Sequence, residues 1–142
     1  MQDLHGYYLE DLEVGMSDSY EKTISEADVN LFAELSGDTN PVHLDEEYAA
    51  STPFKQRIVH GMFCGALIST VAGTKLPGPG CIYLDQQIKF KAPVLIGDTA
   101  KATGTIEEID QRRRRVKMRT DVHVGEKLVA TGYALLMVDK RG

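Results

Sequence analysis

The sequence predicts an α+β fold in which a curved antiparallel β-sheet wraps around one central buried α-helix. Residues 61–72 carry no charged side chain, which is typical of a helix that is buried on all sides. From residue 81 onward the chain contains consecutive long segments with strand-like composition, which indicate an antiparallel meander. Only a strongly curved sheet could cover the helix on so many sides. The alternative is a helix that lies on a flat sheet.

The whole chain is expected to form a single domain, residues 1–142, large enough to enclose a hydrophobic core. The net charge of −5 argues against a nucleic-acid partner. No apolar run is long enough to span a bilayer, and the first five residues lack the basic and apolar regions of a signal peptide. Cys64 and Cys81 lie in apolar surroundings without a metal-binding spacing. We therefore expect reduced thiols and a cytoplasmic protein.

The first elements are predicted from local signals. Residues 4–16 are expected to form a short edge segment packed on the core, and residues 17–24 a short strand. Ser25 followed three residues later by Asp28 resembles a capping box and predicts the start of a helix. Ser36-Gly37 is expected to end that helix.

The stretch that follows contains two candidate proton carriers, Asp38 and His43. Asn40-Pro41 lies between them, a pair that favours a turn and does not continue a helix. A turn on a rigid scaffold can direct an acid and a histidine at one spot. The alternative is that Asp38 and Asp45 cap turns and helices, and that His43 is a loop histidine with satisfied hydrogen bonds.

The next two segments are predicted to be helical. Asp45 is expected to cap a short helix that begins with Glu46-Glu47 and is closed by Pro53. The uncharged run then forms the buried helix, with His60-Gly61 at its N-terminal end. Free backbone N–H groups and the positive end of the helix dipole suit a developing negative charge there. Close packing is the alternative role of the glycine.

The second half of the chain is predicted to be a meander. A turn rich in proline and glycine, residues 76–80, ends the buried helix. In the third of the following strands, apolar residues alternate with polar ones, the pattern of a half-buried strand. The predicted strands are residues 81–91, 99–109, 116–124 and 127–138, separated by turns at 97–98, 110–111 and 125–126.

Two motifs in this order and separation carry a family resemblance. They are Asp38-Thr39-Asn40-Pro41-Val42-His43 and Ile58-Val59-His60-Gly61-Met62. Together they resemble the hydratase motif of the MaoC-like (R)-specific enoyl-CoA hydratases, which have the hot-dog fold. The resemblance covers the chain from about residue 17 to the end. The other matching segments are residues 77–80, Tyr83-Leu84, residues 90–94 and Gly97-Asp98.

The resemblance implies that Asp38 and His43 form a catalytic dyad and that the Gly61 N–H polarises a thioester carbonyl. The implied reaction is the reversible addition of water to trans-2-enoyl-CoA, which gives (R)-3-hydroxyacyl-CoA, and it requires no cofactor. The implied partners are an acyl-CoA thioester and further copies of the chain, in a homodimer or higher homo-oligomer. The residues implied to support the site are Asn40, Ser69 and His60.

The chemistry of these side chains is consistent with the implied reaction. The ordinary pKa of histidine, about 6.5, places His43 near the working pH of a proton carrier. Asp38 would need a low-dielectric surround or direct contact with the reacting water. Which of the two is acid and which is base stays open at this point, and the pair can titrate as one unit. A metal site is not expected, because no third ligand is evident beside His43 and Asp45.

Two other functions are alternatives to this interpretation. A hot-dog thioesterase commonly uses a carboxylate on or near the central helix, but residues 61–72 contain no Asp or Glu. A non-catalytic acyl-CoA-binding module would need the same pocket but would give no reason for an Asp/His pair. The run Arg112–Arg115 is expected to be a solvated strand end, with contact to the phosphates of a CoA carrier as the alternative.

Overall fold

A computed structural model describes residues 4–142 of the chain; Met1–Asp3, part of the stretch that argues against a signal peptide, lie outside the described residues. A 3₁₀ turn, Leu9–Asp11, precedes the first strand. The helices are α1 (Glu26–Ser36), α2 (Pro41–Leu44), α3 (Glu46–Ala50) and α4 (Gly61–Thr74). The strands are β1 (Ser17–Thr23), β2 (Ile82–Phe90), β3 (Thr99–Asp110), β4 (Arg115–Val124) and β5 (Lys127–Met137).

The five strands form one antiparallel sheet in the order β1-β3-β4-β5-β2, with α4 packed on its inner face. Alternate residues of β3, β4 and β5 are buried against that helix. The predicted α+β architecture, an antiparallel sheet around a central helix, is confirmed. Within residues 4–142 no helix has both the length and the apolar composition that crossing a bilayer requires.

The core is divided along α4 into two clusters. The first packs around the N-terminal half of the helix, through Phe63 and Cys64, and receives Val129 from β5. The second packs around the C-terminal end of the helix and receives Leu76 and Leu9. Because α4 contributes to both clusters, its two ends have different neighbours. The candidate motifs lie at the N-terminal end of α4, beside the first cluster.

The prediction that α4 is buried on all sides is wrong for the single chain. Its exposed residues recur at helical spacing and form one stripe, which we call the open face of α4. Hydropathy shows that a face is apolar, but it does not show whether the same chain or another one covers it. The open face consists of Met62, Ala66, Ser69 and Gly73.

The structure refines two further local predictions. Residues 4–16 pack on the core through Leu9 and Leu12, as expected, and the segment contains a 3₁₀ turn that the sequence did not predict. Asn40-Pro41 starts the short helix α2, so His43 lies on a helical turn. Proline is well tolerated at the first helical position, because the N–H that it lacks would have no partner there.

The predicted caps are present. The Ser25 hydroxyl accepts the Asp28 N–H at 3.1 Å, and the Asp28 carboxylate accepts the Ser25 N–H at 2.9 Å. Gly37 ends α1 with a φ of 80°, a conformation that favours glycine. Asp45 accepts the Tyr48 N–H at 2.9 Å and so caps α3. These caps fix the chain on both sides of residues 38–44, which contain the two candidate proton carriers.

Gly132 in β5 allows a close approach of β2, and its replacement tests the fold. A Cβ at this position would overlap the Gln87 carbonyl oxygen. We expect Gly132→Ala to lower the free energy of unfolding by about 1–3 kcal/mol, because the backbone of β2 must shift. Gly73→Ala is the matched control, since a Cβ there meets no atom within 4 Å. Urea denaturation measures both variants, and equal midpoints for Gly132→Ala and the wild type would contradict the packing described.

Candidate active site

Asp38 and Asn40 lie in the short loop between α1 and α2. The Asn40 side-chain oxygen accepts the Val42 N–H at 3.1 Å and caps α2, while the Asn40 N–H donates to the Asp38 carboxylate at 3.3 Å. Asn40 therefore orders the loop by two local hydrogen bonds. Asp38 is exposed in the single chain, whereas His43 is buried one helical turn further on.

The ring of His43 is held in one tautomer. Its Nδ1 lies 2.8 Å from the Ile58 carbonyl oxygen. A carbonyl only accepts, so Nδ1 carries the hydrogen and Nε2 presents a lone pair. Burial lowers the pKa of His43 below the ordinary 6.5, and the nearby His60 lowers it further, against the opposing effects of the Ile58 carbonyl and Asp38. The ring is therefore a neutral acceptor at neutral pH.

His60 contacts both members of the candidate dyad. Its Nε2 lies 2.9 Å from the backbone carbonyl oxygen of Asp38, and its ring stacks on that of His43 with centroids 3.9 Å apart. The side chain is 1% exposed, and among residues 4–142 its Nδ1 has no hydrogen-bond partner. The residue is also the N-cap of α4, so it links the dyad to the first turn of that helix.

The three side chains bring three potential metal ligands together. One ligand atom from each of Asp38, His43 and His60 lies within 4.8 Å of the others. The sequence interpretation named His60 as a supporting residue of the site but did not count it as a third potential ligand. An ion must nevertheless lie near the plane of each imidazole, about 2 Å from its nitrogen. The two rings are stacked at an interplanar angle of 24° with centroids 3.9 Å apart, so their lone pairs lie in two separate, nearly parallel planes. This arrangement does not fit a shared ion.

The same separation suits one water molecule. An oxygen of Asp38 and a ring nitrogen of His43 are at most 4.8 Å apart. Two hydrogen bonds of about 2.8 Å from one water span such a distance. In the part of the chain that the structure describes, no hydrogen bond joins the Asp38 carboxylate to His43 directly. The separation therefore leaves room for one water between the two side chains.

Gly61 begins α4 and lines a cavity of about 300 Å³. His60 and Cys64 line the same cavity, together with apolar side chains that include Phe90 and Val129. A Cβ at Gly61 would lie 2.9 Å from the Phe90 ring, so close packing also requires glycine here. Neither Asp38 nor His43 lines the cavity. His60, which contacts both of them, does line the cavity.

Arg57 is a buried residue of the site that the sequence interpretation missed. Its Nε donates to the His43 carbonyl oxygen at 2.7 Å, and its guanidinium donates to Glu26 at 3.0 Å and to Asn30 at 3.2 Å. These bonds tie α2 to α1 and hold the backbone of His43. A lone arginine in a predicted polar loop carries no sequence signal for this role.

Two candidate groups lie away from the dyad. Ser69 is on the open face of α4, and among the described residues its hydroxyl makes no hydrogen bond to Asp38 or His43. The run Arg112–Arg115 lies at the tip of the β3–β4 hairpin, where Arg114 pairs with Asp139 at 3.5 Å. That end of the sheet packs on the C-terminal end of α4. Within one chain the arginines therefore lie at the opposite end of the helix from Gly61.

Both cysteines are free thiols. Burial raises the pKa of Cys64 to about 11, and it also raises the pKa of Cys81. Because the thiolate is the nucleophilic form, Cys64 is a weak nucleophile at neutral pH although it lines the cavity.

Known proteins are similar to this chain in sequence and structure over nearly its full length. Residues 12–127 match the family model described as "MaoC like domain". The chain is 52% identical to the (R)-specific enoyl-CoA hydratase of Rhodospirillum rubrum, over 99% of this chain and 97% of that protein. It is 45% identical to the 3-hydroxybutyryl-CoA dehydratase of Methylorubrum extorquens, over 99% and 90%. The R-hydratase PhaJ1 of Pseudomonas aeruginosa superimposes with a TM-score of 0.90 and 46% identity, over 96% of this chain and 88% of that one.

Proposed function

The chain belongs to the MaoC-like domain family, and from that premise we propose that it is a hydro-lyase, an (R)-specific enoyl-CoA hydratase with the hot-dog fold. It reversibly adds water to trans-2-enoyl-CoA and forms (R)-3-hydroxyacyl-CoA. The observation that carries the proposal is the separation of Asp38 and His43, which suits one shared water beside the first turn of α4. The geometry of the site fits this reaction without a metal ion.

Asp38 and His43 are the proton carriers of this proposal. His43 receives a proton from the water, because its Nε2 lone pair is free while Nδ1–H donates to Ile58. The Asp38 carboxylate accepts the second hydrogen of the water and orients its oxygen. Asn40 holds Asp38 and Arg57 holds His43, so both side chains are fixed before the substrate arrives.

The reaction balances with these groups alone. An O–H bond of the water breaks, its proton moves to His43, and the oxygen forms a bond to C3 of the enoyl group. The C2–C3 π electrons shift toward the thioester and place negative charge on its oxygen. C2 then takes one proton back from the dyad, so the sum is one water added. Both new bonds form on one face, because the dyad holds the water on one side of the substrate.

Gly61 supplies the stabilisation of the developing charge. Its N–H is among those at the start of a helix, which have no partner inside the helix. Together with the helix dipole, such a group favours a negatively charged oxygen. The cavity beside Gly61 is mainly apolar and accepts part of the acyl thioester, with Cys64 and Val129 in its lining. The raised pKa of Cys64 keeps this thiol from adding to the electrophilic C3 of the substrate.

Substitutions within residues 38–45 test the role of the dyad. We expect the wild type to hydrate crotonyl-CoA to the (R)-3-hydroxy product. Asp38→Asn and His43→Ala are each expected to lower kcat by about 10²–10⁴-fold, because each removes a proton carrier. Asp45→Asn is the matched control; asparagine also caps helices, so its rate should equal that of the wild type.

The same assay separates the alternative functions. Loss of the enoyl absorbance with the thioester intact is the expected result. Release of free CoA thiol would favour the thioesterase, and binding without turnover would favour an acyl-CoA-binding module. Wild-type rates in both dyad variants would sink the proposed mechanism.

The pH dependence follows from the lowered pKa of His43. The base form must be neutral, and it is lost as pH falls through the pKa in the folded protein. Because that pKa lies below 6.5, the midpoint of the acid limb of kcat/KM should lie below pH 6.5, and more than half of the value at pH 7.5 should remain at pH 6.5. The measurement is the initial hydration rate at low substrate across this range. An acid limb centred above 6.5 would show that burial does not hold His43 neutral.

The association with a second copy of the chain is also part of the proposal. Among residues 4–142, strand β2 is an edge strand that pairs with β5 on one side alone, and Ile82 and Phe90 on it are each 54% exposed. The open face of α4 adjoins this strand, as the contacts of Gly61 with Phe90 and of Gly65 with Ile88 indicate. An unpaired edge beside an apolar helix face suits an identical edge related by a two-fold axis.

The domain organisation and the location of the protein are further parts of the proposal. Each copy is one single-domain unit, residues 1–142. Its two free cysteines fit the reducing environment of the cytoplasm.

A charge on the edge strand tests this homodimer. Ile82→Lys places an ammonium group on β2 at the proposed two-fold interface, and we expect it to shift the protein from dimer to monomer. Leu35→Lys is the matched control, because Leu35 is 79% exposed on α1 and lies outside the edge and the open face. Light scattering coupled to gel filtration gives the mass of each variant. A wild type that elutes as a monomer at every concentration would overturn the dimer.

A further inference from the structure

His60 contacts both proposed proton carriers and directly precedes the proposed carbonyl donor, Gly61, in the chain. It donates from Nε2 to the Asp38 carbonyl oxygen and stacks on the His43 ring. The next residue, Gly61, begins α4. The loop with Asp38 and the helix with Gly61 are 22 residues apart in sequence, and this hydrogen bond joins them.

The hydrogen bond to Asp38 places a hydrogen on Nε2 of His60, because a carbonyl oxygen only accepts. The buried Nδ1 has no hydrogen-bond partner among residues 4–142. Phe32 also packs against the ring, tilted at 51° with centroids 4.8 Å apart. Phe32 and the stacked His43 therefore hold the ring plane, and the plane directs the N–H at Asp38.

Two contacts are made at this position, the stacking on His43 and the hydrogen bond to Asp38. Stacking alone would be satisfied by a phenyl ring, which has no N–H for Asp38. A hydrogen bond alone would be satisfied by an amide, which has no ring for His43. Histidine combines a flat face with an in-plane donor, so one side chain sets the distance of the Asp38 loop and the tilt of the His43 ring.

We propose that His60 is the positioning residue of the hydratase site, which aligns Asp38 and His43 with each other and with the Gly61 N–H. This inference rests on the proposed function, because it assigns the geometry of the same dyad. His60 acts through its neighbours and transfers no proton itself. The titratable groups that face His43 in this arrangement are Asp38 and His60.

Two substitutions separate the ring from the donor. His60→Phe keeps the stacking on His43 and removes the N–H to Asp38. His60→Gln keeps a terminal N–H that can reach the Asp38 carbonyl and removes the ring. His123→Gln is the matched control, because His123 lies on β4 and contacts neither dyad residue.

For His60→Phe we expect kcat for crotonyl-CoA to fall by at least about tenfold with KM changed by less than about threefold, since misplacement of a catalytic group lowers the rate and not the affinity. His60→Gln is expected to keep more of kcat than His60→Phe, because the tie to Asp38 survives. In both variants the acid limb of kcat/KM should move to higher pH, because the imidazole that helps to lower the pKa of His43 is gone. The control should match the wild type in all three quantities.

NMR titration of the His43 ring gives a readout that does not need turnover. Its midpoint should be higher in both His60 variants than in the wild type. Wild-type kcat and an unmoved midpoint in the folded variants would overturn the inference, as would a loss confined to thermal stability. If His60→Phe does not fold, His60→Gln decides by its midpoint and its kcat. An inactive wild type would refute the proposed hydratase, while the His43 midpoints would still decide whether His60 sets the environment of that ring.

Discussion

The arrangement of this molecule depends on the junction at the N-terminal end of α4, where the His60 N–H meets the Asp38 carbonyl oxygen at 2.9 Å. Three segments converge there: the loop after α1, the short helix α2 that directly follows it and, further along the chain, the first turn of α4. A buried hydrogen bond is costly to leave unmade, so this contact holds the loop against the helix. The dyad is therefore positioned by the scaffold and not by contact between its two members.

The curved sheet positions that junction. It surrounds α4 with the inner faces of β3, β4 and β5 and leaves the helix start accessible beside the end of β2. Glycines permit the close approaches, as at Gly61 under the Phe90 ring and at Gly132 under the backbone of β2. The open face of α4 is not covered by residues 4–142, so the chain presents an uncharged helix face to its surroundings.

Local signals in the sequence predicted what is locally determined. The capping box at Ser25, the cap at Asp45 and the strand alternation each depend on neighbours within a few residues. The predictions that were wrong or incomplete depend on long-range contacts. His60, the third potential ligand of the site, is adjacent to Asp38 only after folding. Arg57 is buried and joins α1 to α2 only because the two helices meet around it. The exposure of one face of α4 depends on how far the sheet curves, which composition does not encode.

The most direct test of the shared-water geometry is the stereochemistry of hydration in D₂O. If Asp38 and His43 hold one water on one face of the substrate, crotonyl-CoA should give the (R)-3-hydroxy product with a single deuterium at C2, on the same face as the new hydroxyl group. NMR of the isolated product distinguishes the two diastereomers. Deuterium distributed over both faces of C2, or on the face opposite the hydroxyl group, would contradict delivery by a dyad that holds one water.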